Sequence, residues 1–285
     1  MKVSQKHARE SAGSVRMTRR RAIVKDRLWL WGHDAGVHDK SWGLARPSRI
    51  TPVEAAHYLG VPNVIMVRYL GRPSLPFDQY AVPFRSMSQV VWSVVGATGQ
   101  TDQKEREHVL ELAARQINIT GGIMDDFFAG AFEKGKKGEA TALSLKQLRQ
   151  LRGQLSVAGR RLDLWAVLYE TQLEKSLSKY LALLDKLSFW TWDSVKLSEL
   201  KCNFEKLEAV VPKCDKILGC YMWDYGKKKP LPLELMEHQC ELGLHWLTSK
   251  RIEGMVFLAS CICDLELETV EWARRWIAKV GDARL

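Results

Sequence analysis

Several apolar runs in this sequence end at or just before an acidic residue. The side chain of such a residue could exchange a proton with a bound molecule. The acidic residues are Asp34, Asp125, Asp126, Glu170, Asp193 and Asp224. When carboxyl groups lie close together in a half-buried site, the repulsion between their charges separates their pKa values. One carboxyl then stays protonated while another is ionised. A single carboxylate after an apolar run is also a common turn or helix-cap residue. Its repetition after five apolar runs favours a shared chemical role.

Aromatic residues accompany these acids. Five tryptophans lie at the ends of the apolar runs or one step from an acid, namely Trp31, Trp92, Trp190, Trp192 and Trp223. A flat ring beside a carboxylate suits a sugar, whose C–H face stacks on the ring while its hydroxyls form hydrogen bonds. Adjacent strand residues point to opposite faces, so we expect some of these rings to pack beneath helices and the others to line a site.

The elements that would position these residues form a repeating strand and helix order. Eight short apolar runs, typical of buried parallel strands, alternate with longer amphipathic runs. Thr51–Glu54 and Ser144–Gln147 are capping boxes that start two of the helices, and we expect the second of these helices to end near Gly159. The second strand–helix unit has the weakest helix signal, because residues 71–87 are rich in proline. The strand ends lie about 32 residues apart, which is the length of a βα unit.

This order predicts a single (β/α)8 TIM barrel over residues 28–285, of the α/β class. No GxGxxG motif follows the first strand, so the common reason to prefer an open doubly wound sheet is missing. In a TIM barrel the carboxyl ends of all strands meet at one mouth. We therefore expect the catalytic residues to be Asp125, Asp126, Glu170, Asp193 and Asp224. The predicted substrate-binding residues are His33, Asp34, Arg68, Trp92, Trp190, Trp192, Trp223 and Tyr225.

Three strand ends carry a resemblance to known enzymes. The segments 121–128 (GGIMDDFF), 190–193 (WTWD) and 221–226 (YMWDYG) resemble those of TIM-barrel glycoside hydrolases, although no single family is matched by a diagnostic signature. Likeness to the α-amylase-like clan implies a nucleophile at Asp125 or Asp126, an acid/base at Glu170 and a stabilising Asp224. Likeness to the α-galactosidase-like clan implies Asp125 or Asp126 with Asp193. Chitinase-like barrels carry a glutamate where this chain has Phe128.

The predicted reaction is therefore the cleavage of a glycosidic bond by two carboxylates. Glu170 is the expected general acid and Asp125 or Asp126 the nucleophile or base, while Asp193 and Asp224 hold sugar hydroxyls. The loop over residues 127–142 is a candidate lid. Two alternatives stay open. One is a barrel that binds a glycan without cleaving it. The other is a metal-dependent hydrolase that uses the pairs His33-Asp34 and His38-Asp39 beyond the first strand, with Asp224 at the end of the seventh.

Charge and cysteine content limit the other functions. Residues 1–27 hold nine basic and two acidic residues, whereas the remaining 258 hold 34 and 31, so nucleic-acid binding is an unlikely role for the folded part. We expect residues 1–27 to be a disordered basic tail. Without a signal peptide or membrane span the chain is predicted to be cytoplasmic, with export left open. The six cysteines lack zinc-site spacing and fit reduced, buried thiols. We expect no metal and no cofactor; the partner is a carbohydrate, and the oligomeric state is left open.

Overall fold

Eight parallel strands close into a barrel in this computed structural model, which describes residues 22–100, 102–128, 141–174, 177–211 and 213–285. The strands are β1 Leu28–Gly32, β2 Asn63–Met66, β3 Gln89–Val95, β4 Ile119–Met124, β5 Asp163–Tyr169, β6 Lys186–Trp190, β7 Asp215–Tyr221 and β8 Gly254–Leu258. Each strand pairs with its neighbours in chain order, and β1 pairs with β8 to complete the ring. The predicted (β/α)8 TIM barrel is confirmed.

Seven α-helices surround the barrel among the described residues. They are α1 Pro52–Leu59, α2 Gln103–Arg115, α3 Leu145–Gln154, α4 Ser178–Leu181, α5 Leu200–Val210, α6 Leu233–Thr248 and α7 Glu268–Val280. The two predicted capping boxes form, since Thr51 and Ser144 each accept a hydrogen bond from the backbone three residues later. No α-helix follows β2, where only the short 3-10 turn Pro83–Ser86 is present. Proline has no backbone N–H to donate within a helix, and this explains why the second strand–helix unit is irregular.

The helix after β4 is shorter than the sequence predicted. We expected it to end near Gly159, but α3 ends at Gln154 and a two-stranded hairpin of Ser156–Val157 and Arg160–Arg161 follows. The turn of this hairpin has positive φ at Ala158 (47°) and Gly159 (74°), a conformation that ends a helix.

The described barrel begins before the predicted boundary at residue 28. Val24 is fully buried, and Ile23 forms an antiparallel bridge with Arg284. The backbone amide of Leu285 donates to the carbonyl of Ala22 at 2.9 Å. Residues 22–27 therefore pack with the C-terminus at the closed end of the barrel. Residues 1–21, the rest of the predicted tail, lie outside the described residues.

Aromatic rings fill the barrel interior in two levels. The rings of Trp29 and Trp165 meet edge to face at 5.0 Å, and those of Trp31 and Trp190 meet in the same way at 5.4 Å. A Cβ on Gly219 would lie 2.1 Å from the Trp190 ring, so only glycine leaves room for this ring in the lumen. The upper pair forms the floor of the site described below. No helix in the described part of the chain has the length and apolar character needed to cross a membrane.

Candidate active site

A pocket of about 650 Å³ opens at the carboxyl ends of the strands. Its lining is mainly aromatic, with two carboxylates on one side. The lining residues are Trp31, His33, His38, Trp42, Tyr69, Ala97, Thr98, Asp125, Asp126, Val167, Tyr169, Trp190, Trp192, Tyr221, Tyr225 and Leu258. This is the place where TIM barrels carry their active sites.

Strand alternation explains which aromatic residues face this pocket. Three strands contribute pairs of residues two positions apart, namely Trp31 and His33, Val167 and Tyr169, and Trp190 and Trp192. Residues i and i+2 of a strand lie on the same face, so both members of a pair point into the lumen. The residues between them, Gly32, Leu168 and Thr191, do not line the pocket.

Asp125 and Asp126 form the acidic side of the pocket at the end of β4. The backbone amide of Asp126 donates to Oδ1 of Asp125 at 2.9 Å. Burial raises the pKa of the Asp125 carboxyl well above its ordinary value of 3.8, and the neighbouring charge of Asp126 raises it further. Asp125 therefore binds a proton more tightly than an ordinary aspartate does.

Asp126 accepts a hydrogen bond on each of its two carboxyl oxygens. The Tyr169 hydroxyl donates to its Oδ1 and the Thr98 backbone amide donates to its Oδ2, both at 2.9 Å. Its backbone lies in the left-handed region at φ 47°, which Asp tolerates better than most residues. This turn directs the side chains of two consecutive residues to one pocket. Burial raises the pKa of the Tyr169 phenol, so this hydroxyl keeps its proton and remains a donor.

Two neutral histidines lie opposite the acids. His33 Nδ1 donates to the carbonyl of Val67, while its Nε2 accepts from the Trp31 indole, both at 3.1 Å. Burial lowers the pKa of His33 to about 4, and burial together with His33 lowers that of His38 well below 6.5. The His33 and His38 rings are 5.0 Å apart. Near neutral pH this side of the pocket carries no charge.

Trp223 supports the pocket from behind. Its indole nitrogen donates to the carbonyl of Trp42 at 2.9 Å and so positions a lining residue. Trp42 contacts Tyr225 edge to face with ring centres 5.5 Å apart. Of the two aromatic residues that were predicted here, Tyr225 lines the pocket and Trp223 does not.

Three predicted catalytic acids lie outside the pocket. Glu170 is buried. Its Oε2 accepts from the Trp192 amide at 3.1 Å, and its Oε1 lies 3.5 Å from Lys196 Nζ. Asp193 caps the turn that starts at Ser194. Asp224 is buried and accepts from the Ser194 hydroxyl at 2.6 Å. These acids follow pocket-lining aromatic residues by one or more positions, so alternation or the end of the strand turns them away.

Three predicted binding residues are also placed elsewhere. Asp34 pairs with Arg72 at 2.8 Å, and Arg68 pairs with Glu105 at 3.0 Å. Trp92 is fully buried on the outer face of β3, where it contacts Phe77 with ring centres 5.3 Å apart. Of the residues that were predicted from the sequence, the pocket brings together Asp125, Asp126, His33, Trp190, Trp192 and Tyr225.

Several lining residues were not among the predicted catalytic or substrate-binding residues. They are His38, Trp42, Tyr69, Thr98, Tyr169 and Tyr221. Strict two-residue alternation back from the strand ends would have found Tyr169 and Tyr221. His38, Trp42 and Thr98 lie on loops, where no periodicity marks them. The candidate lid over residues 127–142 falls mostly on residues 129–140, which lie outside the described residues.

The residues considered for a metal site are not grouped. Asp34 is paired with Arg72, and Asp224 is bound by Ser194. Among the described residues no three His, Cys, Asp or Glu side chains are arranged to hold a metal ion.

Solved structures share this fold. A GH113 β-1,4-mannanase has a TM-score of 0.54 at 12% identity, and the match covers 92% of this chain and all of that one. A putative α-L-fucosidase from Bacteroides thetaiotaomicron has a TM-score of 0.53 at 10% identity, covering 95% and 99%. A probable 2-pyrone-4,6-dicarboxylic acid hydrolase from Acinetobacter baumannii scores 0.51 at 10% identity, covering 89% and 92%.

The comparisons agree on the architecture. Most of the similar structures are TIM-barrel glycoside hydrolases, and other barrel enzymes occur beside them. No protein-family model matches the sequence, and no curated protein matches it significantly. At identities of 10–12% the likeness shows the fold alone, a TIM barrel.

Proposed function

We propose that this protein is a carbohydrate-active enzyme that cleaves a glycosidic bond with Asp125 and Asp126. The observation that carries the proposal is the pairing of these two carboxylates in one aromatic-lined pocket at the barrel mouth. No other carboxylate is among the described residues that line it. The aromatic walls suit the C–H faces of sugar rings, and the similar glycoside hydrolase barrels support this class of reaction.

The two acids have different roles in the proposed reaction. Asp125, which keeps its proton, donates it to the glycosidic oxygen as the bond breaks. Asp126, oriented by Tyr169 and Thr98, carries the negative charge that faces the developing oxocarbenium ion, as nucleophile or as base for water. This assignment replaces Glu170 as the acid, because Glu170 lies outside the pocket and binds the Trp192 amide.

The test is turnover of a panel of aryl glycosides and oligosaccharides by the wild-type protein and two variants. Asp125→Asn and Asp126→Asn should each lower kcat at least about a hundredfold, the usual size of a general acid–base contribution. Asp78→Asn is the matched control, since Asp78 is an exposed carboxylate paired with Arg115. Circular dichroism verifies that each variant folds. Wild-type rates in both pocket variants would refute the assignment.

A second candidate is a barrel that binds a glycan without cleaving it. The observation that favours it is that both pocket acids come from one strand end, whereas Glu170, Asp193 and Asp224 lie outside. Binding can be followed by the fluorescence of the four lining tryptophans. Saturable binding of oligosaccharides, with no cleavage of any member of the panel, would support this second candidate over the first.

A further inference from the structure

Trp192 exposes its ring at the open side of the pocket. All eleven tryptophans of the chain lie within the described residues, and Trp192, with 41% of its surface exposed, is the most exposed of them. The other ten are buried or half-buried. Among the residues that line the pocket, only Thr98 is also exposed. The opening therefore lies beside these two residues, and a ligand that extends out of the pocket passes the Trp192 ring.

The neighbours of Trp192 hold it in place although its ring is exposed. Its backbone amide donates to Oε2 of the buried Glu170 at 3.1 Å. Three rings meet it edge to face, at angles of 74–89° and with centres 6.1–6.2 Å away, namely those of Trp42, Tyr169 and Tyr221. Rings at such angles support Trp192 without stacking parallel on it. A ring that is fixed before a ligand arrives loses little conformational entropy on binding.

The adjacent Trp42 is less open to a ligand. Its side chain is half-buried, and Lys228 Nζ lies over the ring, 6.0 Å from its centre. The carbonyl of Trp42 accepts from the Trp223 indole, which ties this residue to the wall of the pocket. Of the two tryptophans at the rim, Trp192 is therefore the one that offers a surface for stacking.

Two polar side chains lie beside Trp192 at the rim. Asp193 follows it in the chain, and Lys227 Nζ lies 3.8 Å from Oδ1 of Asp193, with both side chains partly exposed. The same Oδ1 accepts from the Val195 amide at 3.1 Å, so Oδ2 is left to accept from a ligand. An apolar ring with an acceptor and a donor next to it suits a sugar, whose C–H face stacks while its hydroxyls form hydrogen bonds.

We propose that Trp192, Asp193 and Lys227 form a second sugar-binding position outside the pocket, so that the substrate is an oligosaccharide or polysaccharide of three or more units. This inference rests on the proposed function and names its substrate class. The Tyr169 hydroxyl bonds to Asp126, while the centre of the Tyr169 ring is 6.2 Å from that of Trp192. Trp192 is thus separated from the acid by the length of a tyrosine side chain, which leaves room for another sugar unit between them.

Calorimetric titrations of the full chain with sugars of two lengths test the outer position. The probes are the disaccharide and the tetrasaccharide of the cello-, manno-, malto- and chito-oligosaccharide series. They are titrated into wild type and into Asp125→Asn, in which slow cleavage leaves the probes intact. In a series that binds, the tetrasaccharide should bind about tenfold more tightly than the disaccharide, the effect of covering one exposed aromatic ring. It should also protect the Trp192 fluorescence from quenching by acrylamide.

Variants of the outer position assign this preference to its residues. Trp192→Ala should lower the affinity ratio between the two lengths from about tenfold to about onefold, whereas Trp192→Phe, which keeps a smaller ring, should retain part of it. Lys227→Met removes one donor and should lower the ratio about threefold. Tyr58→Ala is the matched control, because it removes a ring that is 40% exposed on α1, and it should leave the ratio unchanged. Circular dichroism verifies that each variant folds.

The outcomes distinguish this inference from the proposed function. Equal affinity for the two lengths in every series that binds would overturn the outer position and leave glycoside cleavage in the pocket intact. A preference for the longer sugar that persists in Trp192→Ala would also overturn it, because another surface would then hold the additional units. Failure of every oligosaccharide to bind would overturn this inference and the proposed function together.

Discussion

The hydroxyl of Tyr169 donates a hydrogen bond of 2.9 Å to Oδ1 of Asp126, and so connects the ends of the neighbouring strands β5 and β4 at the mouth of the barrel. The bond orients a carboxylate that belongs to a turn with positive φ and fixes one of its oxygens. The second oxygen is fixed by the Thr98 amide, from the loop after β3. Three successive units of the barrel therefore define the position of one acid.

Removing this hydroxyl tests the role of Tyr169. The Tyr169→Phe variant keeps the ring but leaves Asp126 without its side-chain donor. We expect kcat to fall about 10- to 100-fold, since a hydrogen bond to a charged group contributes about 1.5–3 kcal/mol. Steady-state kinetics on the best substrate of the panel is the measurement. Tyr58→Phe, far from the pocket on α1, is the control, and equal rates in all three proteins would contradict the role.

Glu170 should behave as a positioning residue. In the Glu170→Gln variant the amide oxygen still accepts from the Trp192 backbone, so the wall of the pocket keeps its place. We expect kcat to change less than about tenfold, with a larger effect on KM through Trp192. A loss as large as that of Asp125→Asn would restore Glu170 as the general acid and refute the present assignment.

The raised pKa of Asp125 predicts a pH-dependent stability. An acid that binds its proton more tightly in the folded state stabilises the protein below its unfolded pKa, near 3.8, and this contribution is lost as the pH rises. Asparagine mimics the protonated form at every pH. The free energy of unfolding of Asp125→Asn, relative to wild type, should therefore increase from pH 4 upward. Denaturant titrations measure it, and a constant difference between the two proteins would contradict the prediction.

Gly219 should be needed to keep the floor of the pocket. The Cβ of a Gly219→Ala variant would lie 2.1 Å from the Trp190 ring, so the ring must move. We expect a loss of stability of about 1–3 kcal/mol or more, with weaker oligosaccharide binding. The control is Gly153→Ala in α3, where a Cβ meets nothing within 4 Å, and which should stabilise by about 0.5–1 kcal/mol. Unchanged binding and stability in Gly219→Ala would contradict the packing argument.

The fold could be predicted from the sequence because its signals are local and repeated. Each strand is a buried apolar run, and boxes such as Thr51–Glu54 start helices by hydrogen bonds between residues three apart. The irregular second unit was also visible, in its prolines. The early end of α3 was not predicted, because it depends on a turn at Ala158 and Gly159 rather than on propensity.

The sequence indicates which residues line the pocket only where the end of a single strand determines their position. Asp125 and Asp126 line the pocket because their run of apolar residues ends there. Glu170 does not line it, because the neighbouring Tyr169 takes the inward position and the two directions differ by one residue of register. Loop residues such as His38 enter the pocket through tertiary packing, for which sequence spacing has no signature.

The hydrogen bond between Leu285 and Ala22 fastens both ends of the described barrel together at the face opposite the pocket. A linker attached at Leu285 would extend from the face opposite the pocket. The protein could therefore be anchored to a sensor chip or a bead through this residue with its opening directed toward the liquid, where long polysaccharides can reach it.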